Sequence, residues 1–255
     1  MRSTSRLVLH ALPVVAVALG AAPAAQAAQT NVAVAANFTD AANEIAEAFK
    51  EKTGHEAILS FGSTGQLYTQ ITQAAPFEVF LAADDARPAL AIEEGFAVPG
   101  SQFTYAIGTL ALWSQDRGLV QGEQTLTNGD FTKIAIANPE AAPYGAAAVQ
   151  AMQSLGVYDQ LEPKIVQGNN ISQTFQFVET GNAELGFIAL AQVARSDEGS
   201  RWVVPEDLHD PIRQDAVLLE TGEDSEAARA FVEFLNGPEA VAIIEKFGYG
   251  IDASS

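Results

Sequence analysis

Ala35-Ala36-Asn37-Phe38-Thr39-Asp40 separates two patterns of different period. Before it, residues 31–36 form a short apolar run of strand type. After it, Ala41, Ile45, Ala48 and Phe49 recur at helical spacing until Gly54. The junction is therefore a strand–turn–helix unit, and the unit recurs. Residues 57–61 make a second strand, and Gly62-Ser63-Thr64-Gly65 turns into a helix that reaches about Gln73. Residues 77–82 make a third strand, followed by a helix that begins at Asp84-Asp85 and Pro88 and stops at Gly95. Alternation of this kind predicts an α/β fold whose mostly parallel sheet is covered on both faces.

Beyond Gly95, the long extended stretch 103–114 leads out of this unit, and residues 212–220 are the candidate return. Between them lies a second α/β set: strands at 133–137, 164–167 and 185–189, with helices at 144–155 and 171–179. Two amphipathic helices close the chain, the first capped by Ser225 and the second set off by Gly237-Pro238. The expected division is a leader at 1–27, a first lobe at 28–107 completed by 217–255, and a second lobe at 108–216.

The leader stands apart because Arg2 and Arg6 precede an apolar run at 7–19, and Ala25-Gln26-Ala27 suits signal peptidase. No cysteine occurs in the 255 residues, which excludes thiol catalysis, thiolate metal sites, disulfides and a lipid-bearing cysteine. An exported chain without a lipid anchor points to a Gram-negative periplasm. The formal net charge of −19 repels nucleic acid and anionic membranes. It also means that a small anion would gain nothing from long-range steering, so its site would work through local dipoles.

Four junctions place small or hydrogen-bonding residues at a helix N-terminus: Asn37, Ser63-Thr64, Pro143-Tyr144-Gly145 and Asn170-Ile171. Such ends carry unpaired N–H donors and the positive end of the helix dipole, which suits an anion. Any one of them alone is an ordinary cap. Together they come two from each lobe, and none contains Lys, Arg or His. Catalytic patterns are missing: there is no G-x-S-x-G, H-E-x-x-H or phosphate-loop sequence. The pairs Asp84-Asp85 and Glu93-Glu94 suit helix capping and a solvated face better than acid–base work.

With these junctions, the chain resembles the periplasmic molybdate-binding receptors of ABC importers. The resemblance rests on residues 35–39, Phe61-Gly62-Ser63-Thr64-Gly65, residues 75–84, Ala137-Asn138-Pro139-Glu140 and Phe247-Gly248-Tyr249-Gly250, in that order. It implies a two-lobed periplasmic binding protein fold of type II that closes on molybdate or tungstate. It also implies no enzymatic activity, no cofactor, a monomer, and a membrane permease as partner. The ligand-binding residues it implies are Asn37 through its side chain, Ser63 or Thr64, Tyr144, and Ile171 through its backbone N–H. The family often carries a tyrosine where this chain has Ala189, and Tyr144 is the candidate for the missing hydroxyl. Two alternatives are a receptor of the same fold for sulfate or a small organic acid, and a secreted enzyme on a related scaffold. An organic carboxylate would usually call for an Arg clamp, which no junction offers.

Overall fold

The apolar runs and helical periods fold as two five-stranded sheets, each flanked by helices. The computed structural model describes residues 27–251, so the expected leader, apart from Ala27, lies outside the described residues. In chain order the first elements are β1 (Gln29–Ala35), α1 (Thr39–Thr53), β2 (Glu56–Gly62), α2 (Thr64–Thr72), β3 (Val79–Leu81), α3 (Ala86–Glu93) and β4 (Phe103–Gly108). The middle comprises β5 (Leu110–Ser114), α4 (Gln124–Asn128), β6 (Ile134–Ala137), α5 (Pro143–Ser154), α6 (Tyr158–Leu161), β7 (Ile165–Gly168), α7 (Ile171–Glu179), β8 (Leu185–Ala189) and β9 (Ser200–Val203). The chain closes with β10 (Ile212–Leu218), α8 (Glu226–Leu235) and α9 (Pro238–Lys246). Among the described residues no helix is long and apolar enough to cross a membrane.

The helix α1 shows why these segments form. Ala41, Ala42, Ile45 and Phe49 are buried on one face, Asp40 sits in the first turn, and Lys50 and Lys52 lie in the last. Both charge placements complement the helix dipole. Gly54 ends the helix at a φ of 77°, a left-handed conformation that glycine adopts without a Cβ penalty. The buried face packs onto the first sheet, and Phe49 meets Phe231 of α8 edge-on with ring centroids 5.2 Å apart. At α8, the Ser225 side chain caps the helix by accepting from the Ala228 N–H.

The first sheet has the order β2-β1-β3-β10-β4 and the second β7-β6-β8-β5-β9. In each, three parallel strands carry the helices, and one strand runs against the rest: β10 in the first, β5 in the second. The two orders are the same topology, with β1 corresponding to β6 and β2 to β7. Asn37 and Ser63 therefore follow the C-terminal ends of β1 and β2, and Tyr144 and Ile171 follow the corresponding ends of β6 and β7. Open α/β sheets bind ligands at those ends.

The chain crosses between the sheets twice, and only the return differs from the sequence reading. The extended stretch 103–114 is two strands on different sheets, broken at Thr109. The return was expected after residue 216, yet all of β10 belongs to the first sheet. Ala216, Val217 and Leu218 pair with Leu81, Phe80 and Val79, so the chain crosses back before Ile212. Hydrophobic pattern identifies a strand but not the sheet it joins, which explains the displaced boundary.

Candidate functional site

All five residues singled out from sequence line one cavity between the lobes. Its walls are Ala35, Ala36, Asn37, Gly62, Ser63, Thr64, Ala83, Ala142, Pro143, Tyr144, Asn170 and Ile171. The cavity is about 10 Å³ in volume, close to the space of a single water-sized centre. The lining contains no Lys, Arg or His and no Asp or Glu, so its polarity comes from hydroxyls, amides and peptide N–H groups.

Each junction contributes through its local fold. Ser63 precedes α2 with an extended backbone, φ −70° and ψ 148°, which turns its side chain out of the helix and into the cleft. Its Oγ is buried and has no hydrogen-bond partner among the described residues. The neighbouring Thr64 is committed differently, because its Oγ1 accepts from the Ala83 N–H at 3.0 Å and so fixes the chain just past β3. Across the cleft, Asn170 caps α7 by accepting from the Gln173 N–H at 2.9 Å. The cap leaves the Ile171 N–H among the first-turn donors that a helix cannot satisfy internally. Pro143 opens α5, where its missing N–H costs nothing, and Tyr144 follows it fully inside.

Asn37 departs from expectation. The sequence reading gave its side chain to the ligand, but its Nδ2 donates to Gln214 Oε1 at 2.7 Å and to the Tyr249 hydroxyl at 3.2 Å. Tyr249 in turn donates to the Asn37 carbonyl at 2.6 Å. Both amide hydrogens are therefore used within the first lobe and its hinge. What Asn37 leaves for the cleft is its peptide N–H, at the start of a short 3-10 turn over Ala36–Phe38.

Tyr144 lines the cavity, and its hydroxyl lies at the hinge beside Gly108 and Gln214. Ala189 is fully buried and offers none. The Tyr144 oxygen faces Gln214 Nε2 at 3.4 Å, a long contact. Burial pushes the Tyr144 phenol well above the usual tyrosine range, and does the same to Tyr105 and Tyr249. All three remain protonated, as hydrogen-bond donors, at neutral pH.

Three contacts bring the lobes together around the cavity. The Gly65 N–H donates to the Ala141 carbonyl at 2.9 Å, and Ser172 Oγ donates to the Ala36 carbonyl at 3.0 Å. Arg87 Nη2 donates to the Glu140 carbonyl at 2.8 Å while Nη1 pairs with Asp84. Burial pushes the Asp84 carboxyl up, with Arg87 opposing the shift. The guanidinium is thus neutralised at the rim and stays out of the cavity wall.

Sequence reasoning missed Gln214, Tyr105 and Gly108. Arg213-Gln214-Asp215 is a polar run inside an otherwise apolar strand, which is the one signal that marks Gln214. Among the described residues no group of three His, Cys, Asp or Glu side chains is arranged to hold a metal ion.

Comparison with known proteins agrees with this architecture. Residues 30–250 match the family model described as bacterial extracellular solute-binding protein. The molybdate-binding protein ModA of Rhodobacter capsulatus is 55% identical over 234 residues, covering 92% of this chain and 93% of its own. ModA of Azotobacter vinelandii is 53% identical over 242 residues, covering 92% and 96%. The solved periplasmic molybdate-binding protein of Azotobacter vinelandii superposes with a TM-score of 0.84 at 40% identity, covering 88% of this chain and 99% of that one.

Proposed function

The chain belongs to the bacterial extracellular solute-binding protein family, and we propose that it is the receptor that captures molybdate and delivers it to the permease of an ABC importer. The observation that carries this reading is the convergence of the N-termini of α2, α5 and α7 and the 3-10 turn at Asn37 on one cavity whose lining has no charged side chain. Such a cavity holds an anion through oriented dipoles and hydrogen-bond donors. We place the receptor in the periplasm, as a monomer, and read it as a binding protein like its relatives. Ser63 and Thr64 have no acid–base partner in the lining, so neither hydroxyl is set up as a nucleophile.

The donors are the Ser63 hydroxyl, the Tyr144 hydroxyl, and the peptide N–H groups of Asn37 and Ile171, with Thr64 supporting the wall rather than reaching the ligand. Molybdate, tungstate and sulfate are fully deprotonated near neutral pH and accept from every donor. Phosphate keeps a proton that needs an acceptor, and no carboxylate in the lining supplies one. Tungstate shares the charge and shape of molybdate, so this donor set accepts it too.

A competition titration with molybdate, tungstate, sulfate and phosphate tests the assignment. Molybdate and tungstate are expected to displace sulfate, with phosphate inert; sulfate winning the contest would overturn the ligand. The role of Tyr144 is checked separately by Tyr144→Phe. Loss of one hydrogen bond to an anion is expected to weaken molybdate binding about tenfold by calorimetry. An unchanged affinity would remove Tyr144 from the donor set.

A further inference from the structure

Asn37 and Tyr144 come from opposite lobes, and both touch one buried group that belongs to neither junction. Gln214 lies on the return strand β10 and is fully buried. Its Oε1 accepts from Asn37 Nδ2 at 2.7 Å and lies 3.2 Å from the Tyr105 hydroxyl, which also reaches the Ala82 carbonyl at 3.0 Å. The acceptor end of the amide is therefore fixed toward the first lobe. Only the NH2 end is left to face Tyr144, and it does so at 3.4 Å.

The polarity of this chain has a consequence for the cleft. Tyr144 has a single hydroxyl proton, and Gln214 presents it with a donor. The proton must then point away from Gln214, and Tyr144 itself lines the cavity between the lobes. Gly108 at the hinge makes the approach possible. A Cβ there would fall 2.3 Å from the Tyr144 hydroxyl and 2.8 Å from Gln214 Nε2, far inside van der Waals contact.

We propose that Gln214 is a positioning residue for oxyanion capture: it aims the Tyr144 proton into the cleft and ties that aim to Asn37 across the hinge. The proposal rests on the receptor reading above. It makes the donor set a property of the assembled lobes, since the amide holds one group from each. A hydroxyl free to rotate would spend part of its time aimed elsewhere and would have to be ordered by the anion.

The test is a double-mutant cycle read by calorimetry on the oxyanion that the parent chain binds most tightly. Gln214→Met is expected to weaken binding about tenfold in the parent and less than about twofold in the Tyr144→Phe background, because the group it aims is gone. Equal losses in the two backgrounds, or no loss in either, would overturn the proposal. Gln214→Glu supplies a near-isosteric check. Its carboxylate accepts the Tyr144 proton instead of redirecting it, so affinity is expected to fall as pH rises from 5 to about 9 while the parent stays flat. A profile parallel to the parent's overturns the proposal. A parent that prefers sulfate would overturn the molybdate assignment alone, and the cycle would still decide the role of Gln214.

Discussion

Replacing Ser63 with alanine is expected to weaken molybdate binding roughly ten- to a hundredfold while making the ligand-free lobes close more readily. With the lobes together, Ser63 Oγ is buried without a hydrogen-bond partner among the described residues. Leaving such a group dry and unpaired costs about 1–3 kcal/mol. That cost opposes closure until an anion accepts the proton, and it then becomes a charge-assisted bond stronger than a neutral one. Ser63→Ala removes both halves of this arrangement. Calorimetry reads the affinity, and an interlobe distance measured by paired spin labels reads closure. A tighter or unchanged Kd, or a smaller closed fraction without ligand, would contradict the assignment. Thr64→Val is the useful contrast. It breaks the bond that holds the Ala83 N–H, so its main effect is expected on stability rather than on the ligand.

The difference between these neighbours also shows what sequence can and cannot convey. Both residues were legible as members of a helix N-terminus, because Gly62-Ser63-Thr64-Gly65 follows a strand and precedes a helical period. The choice between them was not, since it depends on Ala83, which approaches only after β3 packs beside β1. Asn37 teaches the same lesson in reverse. It lines the cavity, but its side chain is claimed by Gln214 and Tyr249, residues far away in sequence. Local patterns give the strand, the turn and the open N–H; they do not give the partners that compete for a side chain.

The same limit applied to the fold. The βαβ units were visible because apolar period and turn residues are local properties. The short elements α4, α6 and β9 carry too few turns or pairs to produce a period. The assignment of β10 to the first sheet depends on pairing with β3 and β4 across a long stretch of chain. Gly108 looks like an ordinary strand glycine until Tyr144 and Gln214 are seen to converge on it.

Gly65→Val is expected to abolish tight binding without harming the fold. Gly65 lies in the first turn of α2, where its N–H reaches the Ala141 carbonyl in the opposite lobe at 2.9 Å. A Cβ at this position would stand 3.1 Å from Ala141 Cα, 3.1 Å from Arg87 Nη2 and 3.2 Å from the Ala141 oxygen. Two of those atoms are backbone of the second lobe and cannot rotate away. The backbone clash exists only when the lobes meet, and the Arg87 contact within the first lobe is with the far end of a flexible side chain, so the substitution acts mainly on closure. Within the first lobe a side chain is if anything favoured over glycine on a helix. Gly65→Ala, which needs a shift of a few tenths of an ångström, is expected to cost a few-fold in affinity. Valine adds two branched methyls to the same contact and is expected to cost a hundredfold or more, since every step of about 1.4 kcal/mol against the closed state is a factor of ten. The ligand-free Tm should be unchanged or slightly higher, while the rise in Tm that molybdate produces in the parent should be lost. A Gly65→Val protein that binds molybdate as tightly as the parent would mean that capture does not need the lobes to approach at Ala141, and the cavity between them would no longer describe the bound state.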